Sequence, residues 1–370
     1  MEIGTQAQKL VWEGAIPLQI HLHQSEVTTL PPPPPALVLG PRIGYLPLLV
    51  PLIKPHFNST LPPGTDTIWF EYNGLPLKWN TPTGVLFDLL CAEPERPWNL
   101  TVHFRGYPGD ILCPCDGEDS VKWNFINSLK EAAYIINGNC KNIMNMSQSD
   151  QLELWHCVVK GNMEGYLRIS SKCKLGTVGE ERTAKSGSGE ADISGSSRTG
   201  RIPVRLYVRN IGEDVDDLED VTTIDSWDKV SYINHPVEIH REEGKYFTLR
   251  DAVKSLLPDF FMDDEPSIDE QISSIELEGV CRGDEVDPGC AGVENVSSPM
   301  TEGIEGSSEK QKPDSHSRKA KIRLIRIQGI EPRWDVPFSW IVNNLMNPEH
   351  YLHICIFVEV STTNQQAEAR

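Results

Sequence analysis

The chain has 370 residues, with 53 Asp and Glu against 34 Lys and Arg, a formal net charge of −19. Such a length suffices for two or three compact units. The acidic balance disfavours a nucleic-acid-binding protein, which needs a basic surface to displace counterions from phosphate, and it disfavours attachment to anionic lipid by charge alone.

The sequence contains no recognisable signal for secretion or membrane insertion. Its first residues lack a positive leader followed by an apolar core. Its most apolar stretch, residues 46–53, is short and holds two prolines, whereas a membrane-spanning helix needs about 20 apolar residues. Nine cysteines, scattered and odd in number, suit free thiols in a reducing compartment. We therefore expect a protein of the cytoplasm or nucleus.

Two close pairs of metal-ligand residue types occur along the chain. Cys113 and Cys115 are separated by one residue, which fits neither the redox C-x-x-C spacing nor a zinc site and favours two loop thiols. His21 and His23 share one face of a predicted strand, but no Cys or acidic residue lies in register with them, which favours surface histidines. With no phosphate-binding loop or nucleophile motif either, the sequence predicts no metal, no cofactor and no catalytic site of its own.

Residues 15–106 have the pattern of a small α+β domain. The predicted elements are a strand at 15–23, a strand at 36–39, a proline-interrupted helix within 46–57, a hairpin over 67–79, a helix at 84–90 and a strand at 98–104. Pro31–Pro35 is a stiff connector between the first two strands. Asn73-Gly74 supplies the positive φ angles of a tight hairpin turn, and Thr83 is the predicted helix cap. This order is typical of a β-grasp fold.

Composition and periodicity divide the rest of the chain into further segments. These are an N-terminal helix in 1–14, a helix-rich domain at 118–175, a flexible Gly- and Ser-rich linker at 176–200, and a second α+β domain at 201–360 that contains an acidic insert at 260–318. The second α+β domain repeats the order of the first, although residue identity between them is weak. The insert is expected to be disordered because it has too little apolar surface to bury.

The helix-rich domain opens with a helix that presents a lysine on a rigid support. Asp119 or Ser120 is the predicted N-cap, and no Pro or Gly interrupts the pattern before Gly138. At about 100° per residue, one narrow arc contains the residues expected to be buried: Val121, Phe125, Leu129, Ala132 and Ile136. Lys130 points about 140° from the centre of that arc, fully toward solvent, whereas Lys122 lies nearer its rim. By spacing alone, Lys130 is most simply a solvated surface residue.

Two stretches resemble the autophagy protein 5 family, and its plant-type members most. The first contains Ile68-Trp69-Phe70-Glu71-Tyr72-Asn73-Gly74-Leu75-Pro76-Leu77-Lys78-Trp79, followed by Gly84–Leu90 and Pro97–Phe104. The second contains Ile327-Gln328-Gly329-Ile330-Glu331-Pro332, with Trp340, Asn344-Leu345 and Leu352-His353-Ile354. The resemblance implies an α+β fold in which two ubiquitin-like (β-grasp) domains flank a helix-rich domain.

The resemblance also implies a modification. Members of this family accept the C-terminal glycine of autophagy protein 12, a ubiquitin-like modifier, on one lysine through an isopeptide bond. The family's motif is matched by Leu129-Lys130-Glu131-Ala132, so Lys130 is the expected acceptor and Lys122 is its rival. Glu131 follows Lys130 in sequence but lies about 100° away on the helix, so we do not assign it as a base.

The partners that the resemblance implies are the activating and conjugating enzymes of the pathway and a coiled-coil protein, autophagy protein 16. The resulting complex is expected to act as a ligase-like scaffold for the transfer of autophagy protein 8 to phosphatidylethanolamine, on a preautophagosomal membrane that recruits it from the cytoplasm. Leu10, Val11 and Trp12 are candidates for the partner-binding groove, although core packing is the favoured role. The alternative is a non-covalent ubiquitin-like adaptor in the same pathway.

Overall fold

The computed structural model describes residues 5–173, 175, 200–211, 221, 223–239, 245–264 and 320–360. Apart from Gly200, the linker predicted at 176–200 lies outside the described residues, as does the insert predicted at 260–318 from residue 265 onward. The described residues within 1–260 and 319–370 group into one compact unit. All the elements described next belong to this unit.

A short helix and a five-stranded sheet open the chain. Their bounds are α1 (Gln6–Glu13), β1 (Ala15–Leu22), β2 (Ala36–Pro41), β3 (Trp69–Tyr72), β4 (Leu75–Pro76) and β5 (Trp98–His103). The strands lie in the order β2-β1-β5-β3-β4, with β1 and β5 parallel and all other neighbours antiparallel. Asn73 and Gly74 have φ angles of 49° and 85°, which confirms the predicted hairpin turn.

Two helices cover one face of this sheet, α2 (Val50–Phe57) and α3 (Thr83–Leu90). A 3-10 turn at Leu46–Leu49 leads into α2, which contains Pro55, as the proline-interrupted pattern predicts. The predicted Thr83 cap is wrong. Pro82 is the N-cap residue of α3, with no side-chain cap, and Thr83 is its first helical residue. The Thr83 N–H donates to the Gly44 carbonyl, so a tertiary contact satisfies a backbone donor in the first turn of α3.

Four helices make up the helix-rich region: α4 (Glu118–Asn137), α5 (Lys141–Met144), α6 (Gln148–Val159) and α7 (Met163–Ser170). Ser147 caps α6 by accepting a hydrogen bond from the Asp150 N–H. Trp12 of α1 packs against Tyr166 of α7, with ring centroids 4.9 Å apart. The N-terminal helix therefore packs against the helix-rich region rather than extending freely from the fold.

A second sheet repeats the plan of the first. The remaining elements are β6 (Arg201–Ile202), β7 (Val204–Asn210), β8 (Val230–Asn234), β9 (Val237–Glu238), α8 (Leu249–Leu256), β10 (Ala320–Arg326), α9 (Phe338–Leu345) and β11 (Leu352–Val360). The order is β10-β11-β7-β8, with β6 and β9 paired separately. Its parallel pair, β7 and β11, corresponds to β1 and β5. The predicted α+β architecture is confirmed, although β8 and β9 were not predicted.

Helix α3 is shared between the two sheets. All eight of its residues are buried, and it contacts β11 as well as the first sheet. Two buried arginines of the second sheet donate to carbonyls at its C-terminal end and just beyond it: Arg209 to Leu89 and Leu90 at 3.0 and 2.8 Å, and Arg326 to Cys91 and Ala92, which follow the helix, at 2.9 and 3.0 Å. The last carbonyls of a helix have no partner within it and carry the negative end of its dipole, so two guanidinium groups satisfy both demands.

Candidate functional site

Helix α4 places the lysine that the sequence singles out. It begins at Glu118 and ends at Asn137, and Gly138 follows in the left-handed conformation with φ 70°, as the pattern predicts. The predicted cap is wrong, because Gly117 is the N-cap residue and neither Asp119 nor Ser120 caps the helix. Ser120 instead accepts the Asp116 N–H at 2.8 Å. Two acidic residues in the first turn stabilise the helix, because their negative charges lie at the positive end of its dipole.

The buried face of α4 is wider than the sequence predicts. Four of the five expected residues are buried, and Ile136 is only half-buried. Ile126 and Ala133 are buried as well, at 4% and 1% exposed, and helical geometry places them about 40° and 60° from Lys130. Lys130 is therefore half-buried rather than fully exposed, at the border of the solvent-facing side.

The two candidate lysines differ in what holds their amines. Lys130 Nζ donates to Asn127 Oδ1 at 3.4 Å, a long contact on the exposed surface. Lys122 Nζ forms an ion pair with Asp119 at 2.6 Å and lies 5.8 Å from the centre of the Trp123 ring. A charged partner must be given up before Lys122 can react, whereas Lys130 gives up one long hydrogen bond to an amide.

Two exposed aromatic side chains flank Lys130 on α4. Trp123 is 54% exposed and Tyr134 is 64% exposed. They lie two turns before and one turn after the lysine, so with exposed Asn127 they form one stripe along the helix. We call Trp123, Asn127, Lys130 and Tyr134 the α4 stripe. Aromatic residues concentrate binding energy at protein interfaces, and the stripe places an amine between two exposed side chains of this kind.

Contacts on the next face hold α4 in place. Glu131 Oε2 lies 3.4 Å from both the Arg205 guanidinium of β7 and the hydroxyl of Tyr351, the residue before β11. Arg205 also donates to Ser128 Oγ at 3.1 Å and stacks 3.8 Å from the centre of the Tyr351 ring. Glu131 is thus engaged in packing α4 onto the second sheet.

A second surface feature lies between α1 and α9. It is an open, largely apolar cavity of about 250 Å³ lined by Ala7, Leu10, Val11, Arg42, Gln328, Ile330, Trp340 and Leu345. Leu10 is 60% exposed, and Ile330 and Trp340 are each 46% exposed. Val11 and Trp12 are buried, so core packing holds for these two of the N-terminal candidates and not for Leu10.

The histidine and cysteine pairs lie apart from these surfaces. His21 is exposed and contacts Gln19, whereas His23 lies beyond the end of β1 and stacks on His103 at 4.3 Å. Cys113 is exposed, and burial raises the pKa of the half-buried Cys115. Among the residues that the structure describes, no group of three His, Cys, Asp or Glu residues could hold a metal ion. Within the same residues, no helix is long and apolar enough to cross a membrane.

Comparison with known proteins identifies the family. Three family models match in succession, described as the UblA domain, the alpha-helical bundle region and the UblB domain of autophagy protein ATG5, over residues 11–104, 118–175 and 201–356. The chain belongs to the autophagy protein 5 family. Membership places it in autophagy, as a scaffold built from ubiquitin-like domains.

Individual relatives cover nearly the whole chain. Autophagy protein 5 of Arabidopsis thaliana is 57% identical over 366 residues, which is 96% of this chain and 99% of the relative. The protein of Oryza sativa subsp. indica is 55% identical over 364 residues, covering 96% and 94%. The crystal structure of Kluyveromyces marxianus Atg5 superposes with a TM-score of 0.58 at 18% identity, covering 95% of this chain and 98% of that one, which supports the fold.

Sequence reasoning missed most of the residues around both surfaces. Trp123 and Tyr134 share the spacing of the α4 stripe with Lys130, so the helical period could have grouped them. The cavity offered no such signal, because its walls come from residues 7–42 and 328–345, near opposite ends of the chain.

Proposed function

We propose that this chain is a scaffold of the autophagy conjugation pathway that receives autophagy protein 12 on Lys130. The observation that carries the assignment is the α4 stripe, in which an amine without a carboxylate partner among the described residues lies between two exposed aromatic rings. Resemblance to the family motif selects the same residue. The ion pair of Lys122 argues against the rival site.

The proposed step is acyl transfer from a thioester. A lysine ammonium near neutral pH carries protons that must leave before its nitrogen can attack. Lys130 Nζ then attacks the carbonyl carbon of the modifier's C-terminal glycine. The new N–C bond forms as the C–S bond to the conjugating enzyme breaks, and the enzyme's cysteine leaves as a thiolate. Two of the three ammonium protons pass to solvent, and the isopeptide nitrogen keeps the third. The chain supplies position, and the conjugating enzyme supplies activation.

The conjugate then assembles with autophagy protein 16 and promotes transfer of autophagy protein 8 to phosphatidylethanolamine at the preautophagosomal membrane. The cavity between α1 and α9 is the surface we assign to the coiled-coil partner. Three exposed apolar side chains from separate segments, Leu10, Ile330 and Trp340, surround an apolar hollow. An amphipathic helix that lays apolar anchors into such a hollow is a recurring mode of recognition.

A reconstituted reaction tests the acceptor site. Purified activating enzyme, conjugating enzyme and autophagy protein 12 are incubated with the wild-type chain, with Lys130→Arg and with Lys122→Arg. We expect a product that survives reductant in the wild type and in Lys122→Arg, and none in Lys130→Arg. Conjugation that persists in Lys130→Arg would reject the site.

The same assay addresses the alternative function. If no form of the chain yields a covalent product while autophagy protein 12 and autophagy protein 16 still co-purify with it, the chain is a non-covalent adaptor. The cavity is tested separately, by measuring the affinity of an autophagy protein 16 helix for Trp340→Ala. Loss of at least about tenfold in affinity with unchanged conjugation at Lys130 supports the assignment, and unchanged affinity contradicts it.

A further inference from the structure

The loop between β1 and β2 carries five consecutive prolines, Pro31–Pro35. The proposed function does not involve them. Each proline fixes its own φ near −65° and steers the residue before it away from the helical region. A run of five therefore favours the polyproline II conformation, a left-handed helix with three residues per turn. The run therefore has the form of a proline-rich ligand to which other proteins can bind.

Three of the five prolines in the run are exposed. Pro31 and Pro34 are both exposed, and in a polyproline II helix they lie on the same edge. Pro32 is also exposed, whereas Pro33 and Pro35 are half-buried against the body of the protein. The chain therefore presents a pair of proline rings spaced i and i+3 to solvent, which is the P-x-x-P arrangement that aromatic-lined grooves recognise.

The run is anchored on both sides. Before it, Thr28 donates through its N–H at 3.0 Å and its hydroxyl at 2.6 Å to the Thr60 carbonyl. After it, Ala36 pairs with Ile20 in the antiparallel ladder of β1 and β2. Within it, His56 Nε2 of α2 donates to the Pro34 carbonyl at 2.8 Å. These anchors restrict the conformations open to the run, and a restricted ligand loses less entropy on binding.

The residues next to the run in the sequence are uncharged. No charged residue lies between Glu26 and Arg42, and the neighbouring Leu30 and Leu37 are 95% and 72% exposed. The acidic pocket of an SH3 domain, which reads a basic residue beside the prolines, would find no partner here. A groove that relies on aromatic rings and on donors to the proline carbonyls fits better, because proline offers acceptors but no N–H.

We propose that Pro31–Pro35 is a docking ligand for a proline-reading domain with an aromatic groove and no acidic pocket, of the EVH1 or WW type. The contact is made by the outward edge of Pro31 and Pro34, supported by Leu30 and Leu37. It is distinct from the α4 stripe and the cavity, so it adds a partner to the scaffold.

Calorimetric titration of the full chain with three purified probes tests the proposal: an EVH1 domain, a WW domain and an SH3 domain, each first shown to bind its own reference peptide. We expect EVH1 or WW binding with a Kd below about 1 mM, at least about tenfold tighter than that of SH3. The variant Pro31→Ala/Pro34→Ala is expected to lose at least about tenfold in affinity. The matched control Pro33→Ala/Pro35→Ala, which alters inward-facing rings, is expected to lose less than about threefold.

Three outcomes would overturn the proposal. These are no EVH1 or WW binding at about millimolar concentration, SH3 binding as tight as theirs, or equal losses in the two double variants. A thermal melt of each variant keeps folding separate from binding, and conjugation at Lys130 is expected to continue in both.

Discussion

At the scale of single residues, His350 shows how burial links protonation to folding. Its ring Nε2 is buried and has no hydrogen-bond partner among the described residues, and the ring packs against Tyr166. Burial lowers the pKa of His350 to about 4, although nearby Glu349 opposes that shift. In the unfolded chain a histidine titrates near pH 6.5, so over the interval between these values the unfolded state binds the extra proton.

Stability is therefore expected to fall as pH decreases through that interval. The folded-state pKa is the lower one, so the contribution is fully present above the unfolded value and is lost toward pH 4. Between about pH 7.5 and about pH 5, His350 should remove about 2 kcal/mol from the free energy of unfolding. Urea unfolding at both pH values measures this loss.

His350→Asn is the matched control, because it does not titrate and because asparagine tolerates the positive φ of 59° at this position. The wild type should lose about 2 kcal/mol more than this variant over the same pH change. Equal losses in the two proteins would show that His350 is not the titrating group.

At the scale of elements, the two arginines at the C-terminus of α3 are the clearest case of one element completing another. Replacing Arg326 with methionine leaves the Cys91 and Ala92 carbonyls buried without their donor. Loss of a buried charged partner costs about 3 kcal/mol. Chemical unfolding of Arg326→Met should show a lower midpoint. The control Arg333→Met, at an exposed ion pair with Asp335, should leave it within error, and equal shifts in both would contradict the argument.

Helix α4 gives the second prediction at this scale. The double variant Trp123→Ala/Tyr134→Ala keeps Lys130 but removes the exposed rings of the α4 stripe. If these rings dock the incoming modifier or its enzyme, the second-order rate constant of conjugation should fall at least about tenfold. Leu152→Ala removes an exposed apolar side chain from α6 and is the control. Rates that match between the two variants would reduce the stripe to ordinary surface.

The helices and strands also show which features of the structure can be predicted from the sequence. Helical period predicted α4 to its final residue and named four of its buried side chains. It misplaced the exposure of Lys130, because Ile126 and Ala133 are buried only through contacts with other elements. Strand β8 has no alternation to detect, since its five residues are all exposed or half-buried. Lys130 was selected by family resemblance, and the cavity depends on tertiary contacts that no local pattern encodes.

At the scale of the whole molecule, the described fold is continuous on both sides of the predicted insert. Before it, Leu249 and Arg250 at the start of α8 donate to the Val336 and Trp334 carbonyls, and after it β10 pairs with β11. Replacing residues 262–317 with a short Gly-Ser linker should therefore leave a single cooperative transition, with its midpoint within a few degrees of the wild type. Calorimetry provides the measurement, and a loss of cooperativity would show that the segment is structural.

Helix α3 has a further consequence for the protein as an object. Both sheets pack against α3, and two arginines of the second sheet donate hydrogen bonds at its C-terminal end. The N-terminal and C-terminal halves of the protein are therefore held together by side-chain contacts as well as by the peptide chain. Residues 1–175 and 200–370, produced as separate polypeptides in one cell, should find each other and co-purify in equal amounts. A protein held together in this way should stay assembled after the peptide chain is cleaved between its halves.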